Sequence, residues 1–250
     1  ALTLQDCWDL IDLAEQKRLH CMILENCCYD FFEMNTLNMA QHGLFGEILH
    51  VEGAYLHSLW YWTNYWHNWR LKYNKEHRGD IYPTHGLGPV AQLLNIHRGD
   101  RFQTLVAMDT KPATGPVAVK EFPQDLDNLD APYRNGDHTT TLIRTAGGKV
   151  VEIQHDVMNP QPYNRRYQLT GTKGFANKYP VEGYALSSQQ MKDSGVENIT
   201  TDNLSGHEFM PKEQFDALVQ QYESPVATKY QKIAREVGGH GGMDFIMELR

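Results

Sequence analysis

Thr139-Thr-Thr-Leu-Ile-Arg144, then Thr145-Ala-Gly-Gly148, then Lys149-Val-Val-Glu-Ile-Gln-His155 is the stretch that decides the fold. Two runs rich in β-branched residues flank an Ala-Gly-Gly turn, and glycine supplies the positive φ that a tight reversal needs, so the stretch predicts a β-hairpin. Working outward, Arg101–Met108 (RFQTLVAM) predicts a strand and Tyr167–Gly171 an extension of the same sheet. Ile48–Leu59, carrying Val51, Ala54 and Leu56, predicts another. His20–Glu25 is a short apolar run with the length of a buried strand. Helices are expected over residues 3–17, 29–41, 88–95, 211–222 and 226–237, and again after Gly242. Residues 109–137 are rich in Pro and Asp with little periodicity, and read as a long ordered loop. Together these elements predict an α+β fold: an open, mostly antiparallel or mixed sheet with helices on one face.

The chain has 250 residues, 41% of them apolar, and a mean hydropathy of −0.55, the profile of a globular domain with ample core. Its 23 basic and 31 acidic residues give a net charge of −8, the opposite of a phosphate-backbone reader, so no nucleic-acid partner is expected. No uninterrupted apolar stretch is long enough to span a membrane. Cys7, Cys21, Cys27 and Cys28 form neither C-x-x-C nor a disulfide framework and read as reduced core thiols. The first residue is Ala1, and both ends read as cut within secondary structure, so the chain is expected to be part of a longer protein.

Several segments could carry chemistry. Tyr55–Tyr73 (YLHSLWYWTNYWHNWRLKY) holds four of the five tryptophans, four tyrosines and two histidines. Such a segment serves a core or a contact between copies, which makes a homo-oligomer an expected partner, or else a sugar-stacking site. Arg78-Gly-Asp-Ile-Tyr-Pro-Thr-His85 reads as an exposed loop in which Thr84 or His85 caps the following helix, and His85 is placed for acid–base work or for a surface role. Gly86-Leu-Gly88-Pro-Val-Ala91 matches a dinucleotide fingerprint, but the polar residues before it and Pro89 within it exclude that reading. Twelve histidines fall in no H-E-x-x-H spacing, so no metal is expected. There is no G-x-S-x-G elbow. Glu25, Glu52 and Glu152 remain candidates for a carboxylate pair, and Gly238-Gly-His-Gly-Gly242 for a hinge or a ligand loop.

Five strings taken together resemble one family: Leu24-Glu-Asn-Cys-Cys-Tyr29, Glu52-Gly-Ala-Tyr55, Tyr82-Pro-Thr-His85-Gly-Leu-Gly-Pro89, Pro162-Tyr163 and His240-Gly-Gly-Met-Asp-Phe245. They resemble glycoside hydrolase family 109, the NAD-dependent α-N-acetylgalactosaminidases of the glucose–fructose oxidoreductase and inositol dehydrogenase superfamily. The resemblance implies that residues 1–25 end a Rossmann NAD-binding domain and that residues 26–250 form the substrate domain, truncated at its C-terminus. It implies hydrolysis of a terminal N-acetylgalactosamine through oxidation at C3, elimination, addition of water and reduction, with NAD returned unchanged. Carried over residue by residue, Glu25 and Asn26 would touch the cofactor. Tyr55, Arg70, Tyr82, Pro83, Thr84, His85 and Tyr163 would form the substrate site, with His85 and Tyr55 handling protons at C2 and C3. The resemblance leaves open whether the parent is exported or cytoplasmic. A superfamily dehydrogenase acting on a sugar or cyclitol, and a non-catalytic carbohydrate-binding module, are the rival readings.

Overall fold

A computed structural model of the protein describes residues 3–59, 69–121, 132–196 and 206–249. In chain order the elements are α1 (Leu4–Lys17), a 3-10 turn (Asn26–Tyr29), α2 (Phe31–Gln41), β1 (Ile48–Leu56), α3 (Trp69–Glu76), α4 (Thr84–Leu93), β2 (Phe102–Asp109) and α5 (Thr114–Glu121). They continue through β3 (Thr139–Thr145), β4 (Val150–Asp156), β5 (Tyr167–Gly171), β6 (Gly174–Asn177), β7 (Gly183–Leu186), α6 (Ser188–Asp193), α7 (Lys212–Gln221) and α8 (Pro225–Val237). A second 3-10 turn (His240–Gly242) leads into α9 (Met243–Glu248).

The strands make one open sheet in the order β2-β3-β4-β1-β5-β6-β7. Five of its six pairings are antiparallel, and β1 with β4 is the parallel one. The hairpin closes as expected: Arg144 faces Val150, and Gly148 takes φ 85° in the turn. Alternation along β3 and β4 then sends Ile143, Val151 and Ile153 to the helix side, where they join Val51 and Leu169. Phe32 and Met39 of α2, and Val90 and Leu93 of α4, cover them to form the main core. On the reverse face a polar ladder runs across the strands, with Arg166 and Gln168 donating to Glu52 at 2.9 and 2.7 Å and Gln154 donating to Glu152 at 2.9 Å. The predicted α+β architecture is therefore the observed one.

Three expectations need correction. Residues 20–25 form no strand, and Ile23 and Leu24 are exposed, because a strand needs a neighbour for its N–H and C=O groups and none of the described strands lies alongside. The 109–137 stretch is not all loop: α5 lies within it, with Pro116 in the first turn, where the missing N–H costs nothing. Cys27 and Cys28 are buried, but Cys7 and Cys21 are exposed. Strands β6 and β7, four residues each, were too short to register as periodic runs. Trp60, Trp62 and Trp66, and the core of the aromatic segment with them, lie outside the described residues.

Candidate functional site

The site is assembled by glycines. A Cβ on Gly53 would lie 2.2 Å from the Gly86 carbonyl oxygen, and one on Gly86 would lie 2.9 Å from the Ala54 nitrogen. Helix α4 therefore rests with its first turn directly on β1, which sets His85 beside Tyr55, their rings 4.7 Å apart and perpendicular. Gly88 does the same on the next turn, where a Cβ would meet the Glu25 side chain at 2.8 Å. The glycine pattern that mimics a nucleotide loop is thus a packing device inside a helix. Neither Thr84 nor His85 caps that helix. Pro83 holds the cap position without a side-chain bond, and its carbonyl accepts from Leu87 N–H at 2.8 Å.

Glu25, Asn26, Tyr55, Tyr82, His85 and Tyr163 line one cavity of about 500 Å³, together with Leu24, His57, His240, Met243 and Met247. That volume suits a small-molecule ligand. Six of the nine carried-over residues thus converge from the 3-10 turn, β1, the 82–85 segment and the β4–β5 connection. Pro83 and Thr84 shape the turn between Tyr82 and His85. Arg70 stands behind, its guanidinium 5.2 Å from the Tyr82 ring centre; burial pushes the Tyr82 phenol up, and the Arg70 charge offsets only part of that.

Glu25 Oε1 lies 2.7 Å from His85 Nδ1 and also accepts the Cys27 N–H at 3.1 Å. Burial pushes the Glu25 carboxyl up, but the His85 hydrogen bond and charge outweigh it and hold the group below its usual range. An ionised carboxylate can only accept, so Nδ1 donates to it, and whenever the ring is in its neutral form the lone pair stands on Nε2. Tyr55 is driven the other way: burial and the neighbouring Tyr163 and Tyr82 phenols push its hydroxyl well above the ordinary value. One wall of the cavity thus holds a proton acceptor and the next a proton donor. Asn26 donates to Asp244 Oδ1 at 2.7 Å, and Asp244 Oδ2 lies 2.6 Å from His240 Nδ1, so the His240–Asp244 motif buttresses a residue 218 positions earlier.

Two side-chain groups among the described residues have metal-ligand types within 4.8 Å of one another: Glu25, Cys27 and His85, and His50, Glu52 and Glu152. In the first, the Glu25–His85 bond is already made, and burial pushes the Cys27 thiol far up, against the thiolate that a metal needs. In the second, Arg166 and Gln168 occupy both Glu52 oxygens. Sequence reasoning missed His57, His240 and Asp244. The last two lay in a quoted motif, whereas His57 had only its position two residues beyond Tyr55 as a signal.

The arrangement defines a class first. The fold is shared with part of the chains of a levoglucosan dehydrogenase and an inositol dehydrogenase homologue. A levoglucosan dehydrogenase solved with NADH and levoglucosan superposes at TM-score 0.58 and 16% identity over 95% of this chain and 56% of its own. An inositol dehydrogenase homologue from Azotobacter vinelandii, solved with NAD+, gives 0.53 and 15% over 100% and 66%. The family is more specific: residues 29–250 match the model "Glycosyl hydrolase 109, C-terminal domain", and the chain belongs to glycosyl hydrolase family 109. It is 61% identical over its whole length to glycosyl hydrolase family 109 protein 5 of Phocaeicola vulgatus, and 53% to the family 109 protein of Porphyromonas gingivalis. It spans 49% of the first and 53% of the second, about half the length of the curated relatives it matches.

Proposed function

We propose that the chain is the substrate-binding part of a longer glycoside hydrolase that releases terminal α-linked N-acetylgalactosamine with NAD as a recycled redox partner. Residues 1–25 would close the preceding nucleotide-binding domain, and residues 26–250 would hold the sugar. The observation that carries this reading is the pairing of an oriented base, His85 on Glu25, with a protonated phenol, Tyr55, in one cavity. The residues present fit the cofactor: Asn26, fixed by Asp244, offers an amide beside the apolar surfaces of Leu24, Met243 and Met247, as a nicotinamide ring requires. When bound, NAD supplies the hydride acceptor at the sugar C3 and returns the hydride at the end of the cycle.

The chain's own residues supply the proton handling. His85 Nε2 takes the C2 proton, made acidic by the neighbouring ketone, and Glu25 stabilises the imidazolium that results. Tyr55, held protonated, donates a hydrogen bond to the C3 oxygen and to the charge that develops there, and the C3 hydroxyl proton leaves through His85 Nε2 to solvent before that nitrogen takes the C2 proton. Tyr82 and Tyr163 offer ring faces and hydroxyls to the sugar, and Arg70 stiffens Tyr82 from behind. No pair of carboxylates has to flank the scissile bond.

The test uses the full-length protein with a chromogenic α-N-acetylgalactosaminide, with and without added NAD+, while absorbance at 340 nm is followed. Chromophore release without net NADH is the expected result. NADH accumulation from free sugars would replace this reading with that of a dehydrogenase, and sugar binding with neither change would leave a binding module.

A further inference from the structure

Beneath the cavity lie two buried titratable side chains that the scheme above does not use. Asp80 precedes the substrate segment, and its Oδ1 accepts the Tyr82 N–H at 2.8 Å, so one carboxylate fastens the 82–85 turn from below. The same Oδ1 lies 3.8 Å from Nδ1 of His155, a residue of β4 directly beside Tyr55 in the parallel pairing. Both side chains are more than nine-tenths buried, at 9% and 5% exposure. Each keeps one polar atom without a hydrogen-bond partner, Asp80 Oδ2 and His155 Nε2. Buried polar atoms are rarely left so in folded proteins, and each exception calls for a physical reason. Aliphatic side chains would fill this space at less cost.

We propose that Asp80 is a positioning residue for the reaction assigned above, its carboxylate holding the Tyr82–His85 turn while the neutral His155 ring packs beside it at 3.8 Å, so that Asp80 sets where the Tyr82 phenol and the His85 ring stand. The inference rests on that assignment of the cavity. It deepens the assignment by adding a layer beneath the residues that touch the sugar. Geometry leaves a short path for the effect: the His155 and Tyr55 ring centres are 6.1 Å apart, and those of Tyr82 and His85 are 4.7 Å apart. Burial pushes the Asp80 carboxyl up to about 6 and the His155 imidazole down to about 3. Asp156 draws the imidazole back up, while His138, His57 and Arg70 press it further down. The charge on Asp80 therefore changes within a working pH range, and the strength of its bond to the Tyr82 N–H changes with it.

The test uses the full-length protein, its tyrosine amides labelled with 15N and the Tyr82 signal assigned by its loss in Tyr82→Phe. In the wild type the Tyr82 amide shift should titrate with a midpoint near 6. Asp80→Asn should abolish that titration, and His155→Gln should displace its midpoint. On the chromogenic glycoside, Asp80→Asn should lower kcat/KM by about 10-fold and Asp80→Ala by about 100-fold, since misplacing reacting groups by an ångström costs that much. If His155→Gln fails to fold, the Asp80 variants alone decide. Wild-type kcat/KM in both, or a Tyr82 amide indifferent to Asp80→Asn, would overturn the proposal. Failure of the glycosidase reading looks different: the wild type would then leave the glycoside intact while its Tyr82 amide still titrated.

Discussion

Two polar clusters flank the Asn26–Tyr29 turn, and they are built on opposite principles. On one side Asp30 and Glu33 meet Arg165 and Lys178. Lys178 Nζ reaches Glu33 at 2.6 and 2.9 Å and Asp30 at 2.7 Å, and Arg165 closes on Asp30. Two acids face two bases with little solvent, tying α2 to β5 and β6. Asp30 is held below the ordinary range because, although burial pushes it up, Lys178 and Arg165 pull it further down. On the other side, Glu25, His85 and Tyr55 leave the ring's second nitrogen and a phenol facing a cavity. The first cluster spends its charges on each other and fixes the backbone. The second keeps acid–base capacity in hand for a ligand. Structural and chemical polarity are thus separated by one short turn, and the turn itself is positioned by both.

Substitutions can break that contrast, and the largest effect falls in the cavity. His85→Ala in the full-length protein should lower kcat by about 10³-fold while the protein stays folded, with some loss of melting temperature because Glu25 loses its partner; retained turnover would remove its assigned role. Next comes Lys178→Met, which leaves Glu33 only the longer 3.4 Å contact with Arg165 and should destabilise the fold by about 3 kcal/mol in urea denaturation. Without its lysine, Glu33 binds a proton more tightly folded than unfolded, so the deficit should shrink as pH falls from 8 to about 5. A deficit independent of pH would mean that Glu33 is not the charge left under-paired.

Glu25→Gln should lower kcat by about 100-fold, because an amide no longer fixes the Nδ1–H tautomer. Affinity for NAD measured by titration should stay near wild type if Glu25 serves His85, and should fall in parallel if it serves the cofactor. Gly86→Ala forces a Cβ to 2.9 Å from the Ala54 nitrogen and should cost about 1–3 kcal/mol while displacing His85. The smallest effect concerns Asp80. Its folded value near 6 exceeds the unfolded 3.8, so the wild type should lose stability as pH rises through that window. Asp80→Asn should lack this loss and gain about 1–2 kcal/mol on the wild type at pH 7.5 relative to pH 4.

Much of the sheet was legible because its strands state their own case. Thr139–His155 carries β-branched runs and a glycine turn, and a hairpin needs nothing from distant chain. Residues 20–25 show the opposite: the same apolar signal gives no strand when no described strand lies beside it. The site's members can be named from motif strings, Tyr82-Pro-Thr-His85 foremost, and Glu25 reads from sequence as a cofactor contact beside Asn26 or as one of a carboxylate pair. That its carboxylate lies on His85, 60 residues away, depends on Gly88 letting α4 approach to van der Waals contact.

The sequence alone determined the α+β class, the positions of most strands and helices, the exclusion of a nucleotide loop at 86–91, and the family. These follow from local period, turn chemistry and motif identity, all of which act over a few residues. Tertiary structure alone decided that Glu25 partners His85, that Asp244 braces Asn26 across 218 residues, and that Asp80 and His155 lie buried under the cavity. The reason is physical: a side chain's partner, and with it the side chain's charge and tautomer, is fixed by where the packed core brings distant backbone together. No short-range pattern carries that information.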